Sequence, residues 1–183
     1  MAQNEVDRNP RAALVVIVPE AEPLVGDFRA KHDPIAALGL PAHITINFPF
    51  IPGVDPTADT LNRLRRTFAE AQPFAFTLDH IARFPNVVYL APAPPDPFVQ
   101  LIQQIADEFP ESPPYGGQFD DITPHLTIAS SSDTALLASV EQAFTDTASD
   151  HLPLNAATDQ IWLMDDTSGR WQKRVSFSLG ARY

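Results

Sequence analysis

A chain of 183 residues with ordinary apolar content is long enough for one globular domain with a substantial core, built as one unit or as two lobes. Its net charge of −11, with twelve scattered Lys and Arg against twenty-three acids, excludes the broad basic face that a long nucleic-acid duplex needs. The absence of cysteine removes disulfides, thiolate nucleophiles and Cys-based zinc sites, and no apolar run approaches the roughly 20 residues of a membrane helix.

Residues 1–10 carry no apolar pattern and are expected to be a flexible N-terminus, with residues 11–183 forming one domain. The first apolar run, Ala12 to Val18, is β-branched and ends at a proline, so it predicts a strand. Pro19-Glu20 stands where a small-residue cleavage site would follow a signal peptide. The expected location is therefore cytoplasmic, with no membrane partner, and the expected state is a monomer. Residues 22–38 predict helix with a break at Asp33-Pro34, and 42–48 predict a strand. Leu61, Leu64 and Phe68 recur at helical spacing within 57–71, and 73–79 predict another strand.

The pattern then restarts. Val87 to Leu90 predict a strand and 96–109 a helix lined by Phe98, Leu101, Ile102 and Ile105. A Pro- and Gly-rich loop over 110–121 leads to a strand over 122–129. Asp133 is placed to cap a helix running to about 145. Two last strands, about 157–164 and 171–180, flank the turn Asp166-Thr167-Ser168-Gly169. Each half thus spells strand, helix, strand, helix, strand, the signature of a two-copy duplication.

The third element of each copy carries the same phrase: His43-Ile44-Thr45 in the first and His125-Leu126-Thr127 in the second. Side chains alternate faces along a strand, so His43, Thr45 and Asn47 share one face while Ile44, Ile46 and Phe48 share the other. His125 and Thr127 pair in the same way. With five histidines, chance yields about a third of one His-x-Thr match, so a single copy would mean nothing. Two copies at equivalent places in a repeat point to a site. Imidazoles titrate near neutrality, so one can serve as base while its twin serves as acid. Two threonine hydroxyls can hold a phosphoryl oxygen from opposite sides, giving an inventory for displacement at phosphorus without a metal or other cofactor. His32, His80 and His151 lack this context and are expected in surface or capping roles. Neither motif has His-x-His or His-x-x-x-His spacing, which argues against a metal hydrolase.

The paired motifs, about eighty residues apart, together with "FRAKHDPIAALGLPAHITINFPF", "ARFPNVVYLAP" and "ITPHLTIAS", resemble the 2H phosphoesterase superfamily, and within it the bacterial 2′-5′ RNA ligase-like branch. The resemblance covers the chain after the first ten residues. It implies an α+β, bilobal fold in which two pseudo-symmetric, mainly antiparallel sheets face a central cleft with helices outside. It implies a phosphodiesterase acting on 2′,3′-cyclic phosphates or related diesters of a small nucleotide or RNA terminus. His43 and His125 would be catalytic and Thr45 and Thr127 phosphate-binding. His125 would be base for the water and His43 acid for the leaving ribose oxygen, or the reverse.

Further candidates for substrate contact are Arg29, Asn47, Tyr115 and Phe119, the two aromatics as surfaces for a nucleobase. Phe48, Phe50 and Trp162 are expected in the core, and Trp171 is open to either role. Several relatives carry a basic residue just after the second motif, where this chain has Ser130-Ser131-Ser132-Asp133, which weakens the case for RNA ligation. Ligase activity and a non-catalytic module that binds nucleotides or RNA ends stand as the alternatives.

Overall fold

A computed structural model describes residues 9–118 and 122–181, so the segment 1–8 and the candidate Phe119 lie outside the described residues. Eight strands and five α-helices follow in the order β1 (Ala12–Ile17), α1 (Glu22–His32), α2 (Pro34–Ala37), β2 (His43–Asn47), α3 (Ala58–Glu70), β3 (Phe74–Phe84), β4 (Val87–Ala93), α4 (Asp96–Glu108), β5 (Leu126–Ser130), α5 (Thr134–Ala148), β6 (Leu154–Thr158), β7 (Gln160–Asp165) and β8 (Gln172–Ser178), counted among the described residues.

They form two four-stranded antiparallel sheets, ordered β2-β1-β7-β8 and β5-β4-β3-β6. The orders correspond position by position, with β2 and β5, the two motif strands, each at the end of its sheet. This is the pseudo-symmetric α+β architecture the resemblance implies. The sheets are not the two sequence halves, however. β3 leaves the first half to pair with β4, and the C-terminal hairpin β7–β8 completes the first sheet beside β1.

The structure corrects three boundaries. The strand expected at 157–164 is two strands, β6 and β7, which belong to different sheets. Burial falls on Ala156 and Thr158 before Asp159 and on Ile161 and Leu163 after it, so the alternation changes phase there and the chain crosses over. Thr158 Oγ1 and the Gln160 carbonyl, 2.9 Å apart, close the corner. The strand expected at 73–79 runs on to Phe84 through a register shift between Leu78 and His80. The strand expected from 122 starts only at Leu126, because Pro124 has no N–H to give a ladder.

Helix ends follow local chemistry. Asp33 caps α2 through Ile35 N–H at 3.1 Å, and Asp133 caps α5 through Ala135 and Leu136 N–H at 2.9 and 3.0 Å. One core cluster joins the helices to the inner faces of both sheets, running from Leu14, Val16, Ile44 and Ile46 to Val88, Leu90, Leu126 and Ile128. Phe98 of α4 is fully buried and meets Phe74 and Phe76 of β3 edge to face at 5.0 and 4.9 Å. Phe98→Ala should therefore cost about 3–5 kcal/mol, read as a lower urea midpoint with an unchanged m-value.

Candidate active site

β2 and β5 pack beside one another, so the ends of the two sheets bring the paired motifs together. Ile44 and Ile46 on β2, and Leu126 and Ile128 on β5, are buried at 0–1 % exposure in the core. Their alternates His43, Thr45, His125 and Thr127 are half-buried and line a common cavity of about 180 Å³. His125 directly precedes β5 rather than lying within it. Phe48, Tyr115 and Trp171 complete much of the wall.

Each imidazole is held in the same way. His43 Nδ1 lies 2.8 Å from the Pro41 carbonyl, and His125 Nδ1 lies 2.8 Å from the Thr123 carbonyl. A carbonyl can only accept, so the proton sits on Nδ1 and each Nε2 is left to exchange a proton with a ligand. Burial pushes the His43 pKa down to about 3, aided by the positive charge of Arg29 and more weakly by His125, while the bond to Pro41 works the other way. Burial also lowers the His125 pKa, opposed by its bond to Thr123.

Arg29 does not line the cavity. It is 2 % exposed, its guanidinium pairs with Asp33 Oδ2 at 3.0 Å, and it donates to the Leu40 carbonyl at 3.2 Å. With Glu22, which accepts from Ala42 N–H, it clamps the segment that delivers Pro41 and His43. Asn47 is 1 % exposed and is also away from the cavity wall, because its Nδ2 donates to the Ser112 carbonyl at 2.8 Å and so ties down the loop that carries Tyr115. Phe48, expected in the core, is half-buried and faces the cavity 6.4 Å from the Trp171 ring, whereas Phe50 is fully buried as expected. Trp171 is 6 % exposed, and its indole N–H has no partner among the described residues. Trp162 is half-buried under Lys173 Nζ, 4.6 Å from the ring centroid. His32, His80 and His151 line neither this cavity nor the one beside it.

A second cavity, about 400 Å³ and mainly apolar, adjoins the first at His125 and Tyr115. Phe84, Pro85, Val87 and Ile122 supply most of its apolar wall, Asn86 and Thr123 its polar side chains, and Tyr115 and His125 are shared with the first cavity. Phe84 meets His125 edge to face at 5.1 Å and stacks on Tyr89 at 4.4 Å. Sequence reasoning missed Phe84 and Tyr89, although both stand in the quoted stretch around the β3–β4 turn. Neither cavity is lined by Lys or Arg among the described residues, and no group of three or more His, Asp or Glu among them is placed to share a metal ion. No helix among them is long and apolar enough to cross a membrane.

Comparison with known proteins places the chain. The family model of the 2′-5′ RNA ligase superfamily matches residues 17–170, and the protein belongs to that family. A Bacillus licheniformis protein named as a phosphoesterase is 25% identical over 125 residues, covering 63% of this chain and 68% of that protein. Among solved structures, Escherichia coli LigT complexed with 3′-AMP superposes with a TM-score of 0.58 at 18% identity, covering 94% of this chain and all of that one. LigT complexed with NADP+ gives 0.58 at 19% identity over 96% of this chain and all of LigT, and TT0787 of Thermus thermophilus gives 0.61 at 17% over 94% of this chain and all of that one. These likenesses show a common fold.

The His43 environment has a consequence for stability. Its folded pKa of about 3 lies below its ordinary value of 6.5, so between those limits the unfolded chain binds the proton more readily. The contribution of His43 to stability is full above about pH 6.5 and is lost as pH falls towards 3. His43→Gln should flatten the decline in unfolding free energy between pH 7 and pH 4, measured by urea titration against the wild type.

Proposed function

We propose that this protein is a metal-independent phosphodiesterase that opens nucleoside 2′,3′-cyclic phosphates, free or at an RNA 3′ end. The observation that carries this reading is the pair of half-buried histidines, each with Nδ1–H donated to the carbonyl two residues upstream, facing one small cavity beside two threonine hydroxyls. The scissile phosphorus sits between them, with Thr45 and Thr127 donating to its non-bridging oxygens. The larger cavity beside His125 suits a nucleobase: its walls are mostly apolar and aromatic, with Asn86 available to a base edge. LigT was crystallised with 3′-AMP, NADP+ and ATP, which supports a nucleotide ligand for this relative as well.

This placement assigns the two histidines. With the nucleoside on the His125 side, the leaving ribose oxygen also lies there, and in-line attack brings water from the His43 side. His43 Nε2 takes a proton from the water as its oxygen bonds to phosphorus. The P–O bond to ribose breaks, and His125 delivers a proton to the departing oxygen, giving a nucleoside phosphomonoester. Burial favours the neutral form of His43, which is the form a base needs. This reverses the order given first from the sequence.

Turnover of 2′,3′-cyclic AMP in EDTA should be measurable, with a bell-shaped pH dependence of kcat/KM. His43→Ala and His125→Ala should each lower kcat by about 10²–10⁴-fold. Full activity in either variant, or tight binding of adenosine 2′-phosphate without turnover of any cyclic phosphate, refutes the assignment; the second result selects the binding-module alternative.

A further inference from the structure

The segment that walls the site is held in a costly conformation. Tyr115 has φ 50° and ψ 32°, the left-handed region that a side chain bearing Cβ avoids, and it is followed by Gly116 at φ 65° and Gly117 at φ 74°. The two glycines adopt this region freely, but the tyrosine does not. What holds it is an anchor at fully buried Ser112. The Ser112 N–H donates to the Phe109 carbonyl, its carbonyl accepts from Asn47, and its Oγ accepts from Ile51 N–H. Tyr115 N–H then donates to the Phe48 carbonyl at 2.7 Å. Four hydrogen bonds, three of them to residues 47–51, thus fix a strained tyrosine against the end of β2. An observed outlier at a candidate site calls for a reason.

The reason lies at the tip of the side chain. Tyr115 and Thr45 line the same small cavity, the Thr45 side chain opposes the rise that burial gives the Tyr115 pKa, and the Tyr115 ring lies nearly parallel to His125 at 6.5 Å. Tyr115 is also a wall common to both cavities. The phosphoryl group of the proposed reaction carries negative charge, yet no Lys or Arg lines either cavity among the described residues, and Arg29 is buried and paired with Asp33. Neutral donors must therefore do what a cation does elsewhere. We propose that Tyr115 is a further catalytic residue, whose hydroxyl donates, together with Thr45, to one non-bridging oxygen of the reacting phosphoryl group.

A phosphoryl oxygen entering between the Tyr115 and Thr45 hydroxyls gains two charge-assisted hydrogen bonds. Burial raises the Tyr115 pKa, which keeps the phenol protonated and able to donate at neutral pH. The role differs from that of a stacking surface for a nucleobase, which the ring alone would supply.

The proposal rests on the phosphodiesterase reading, and the test separates the two. Tyr115→Phe keeps the ring and loses only the hydroxyl. On 2′,3′-cyclic AMP it should lower kcat on the order of 100-fold, with KM within about threefold of wild type and an unchanged Tm. Thr45→Val probes the same oxygen from the other side and serves alone if the Phe variant does not fold. Combined, the two should cost clearly less than the product of their separate effects. Unchanged kcat in Tyr115→Phe, or fully multiplicative losses in the double variant, overturns the proposal. Binding of adenosine 2′-phosphate by calorimetry supplies a readout that needs no turnover, with about a tenfold loss expected in Tyr115→Phe. If the wild type turns over nothing but that loss is seen, the phosphodiesterase reading falls and the role of Tyr115 as an anion ligand stands. If binding too is unchanged, the hydroxyl has no such role.

Discussion

The site depends on the burial of four aliphatic side chains. Ile44 and Ile46 pin β2 to the core, and Leu126 and Ile128 pin β5. Because a strand presents alternate residues to opposite faces, burying these four leaves His43, Thr45, His125 and Thr127 no face but the cavity. A slip of one residue in either strand would send an imidazole into the core and an isoleucine or leucine into the cleft. The hydrophobic term that holds the sheets is thus the same term that aims the chemistry. The carbonyl two residues upstream of each histidine then fixes the ring, so the orientation of each Nε2 is settled by the backbone.

Electrostatics follow from that geometry. The proposed reaction requires an acidic chain not to repel phosphate, and the lining of both cavities is free of Asp and Glu as well as of Lys and Arg among the described residues. A cation acts from behind the site: Arg29, paired with Asp33 and bonded to the Leu40 carbonyl, steadies the approach to His43 and disfavours its protonation. A cation in direct contact would bind the diester and its product alike. Hydroxyls and a protonated imidazole can respond to charge as it develops, which favours the transition state over either end state.

How much of this was legible beforehand depends on the range of the interaction concerned. The His-x-Thr pairs could be read because the i, i+2 relation is local and any strand at those positions puts the two side chains on one face. The helix cap at Asp133 was readable for the same reason. The roles of Asn47 and Arg29 were not. Asn47 has the right parity for the cleft but lies where β2 meets the Ser112 loop, 65 residues away, and the loop takes its amide. Arg29 sits on a helix whose buried side only the tertiary fold reveals. The crossover at Asp159 left a trace in the changed phase of apolar residues, yet the segment reads as one strand until its two pairing partners are known. Phe84 and Tyr89 look like ordinary hairpin residues until β4 sets Tyr89 opposite Thr127.

The two motifs stand at matching ends of the two similarly ordered sheets, and the imperfection of that symmetry gives the proposed reaction a direction. Two identical half-sites around one phosphorus would have no preferred side for water and none for the nucleoside. Here the surroundings differ. His43 is backed by a charged clamp from α1, with Glu22 on Ala42 and Arg29 on Leu40. His125 instead stands among Phe84, Tyr89 and Tyr115, beside the larger apolar cavity. An apolar hollow on one side selects where the uncharged part of a nucleotide rests. Once that is fixed, in-line geometry leaves the opposite imidazole to face the water. In the proposed reaction the symmetric strands would hold the phosphorus at the centre, while the helix behind one and the hairpin beside the other would determine which histidine gives up a proton and which takes one.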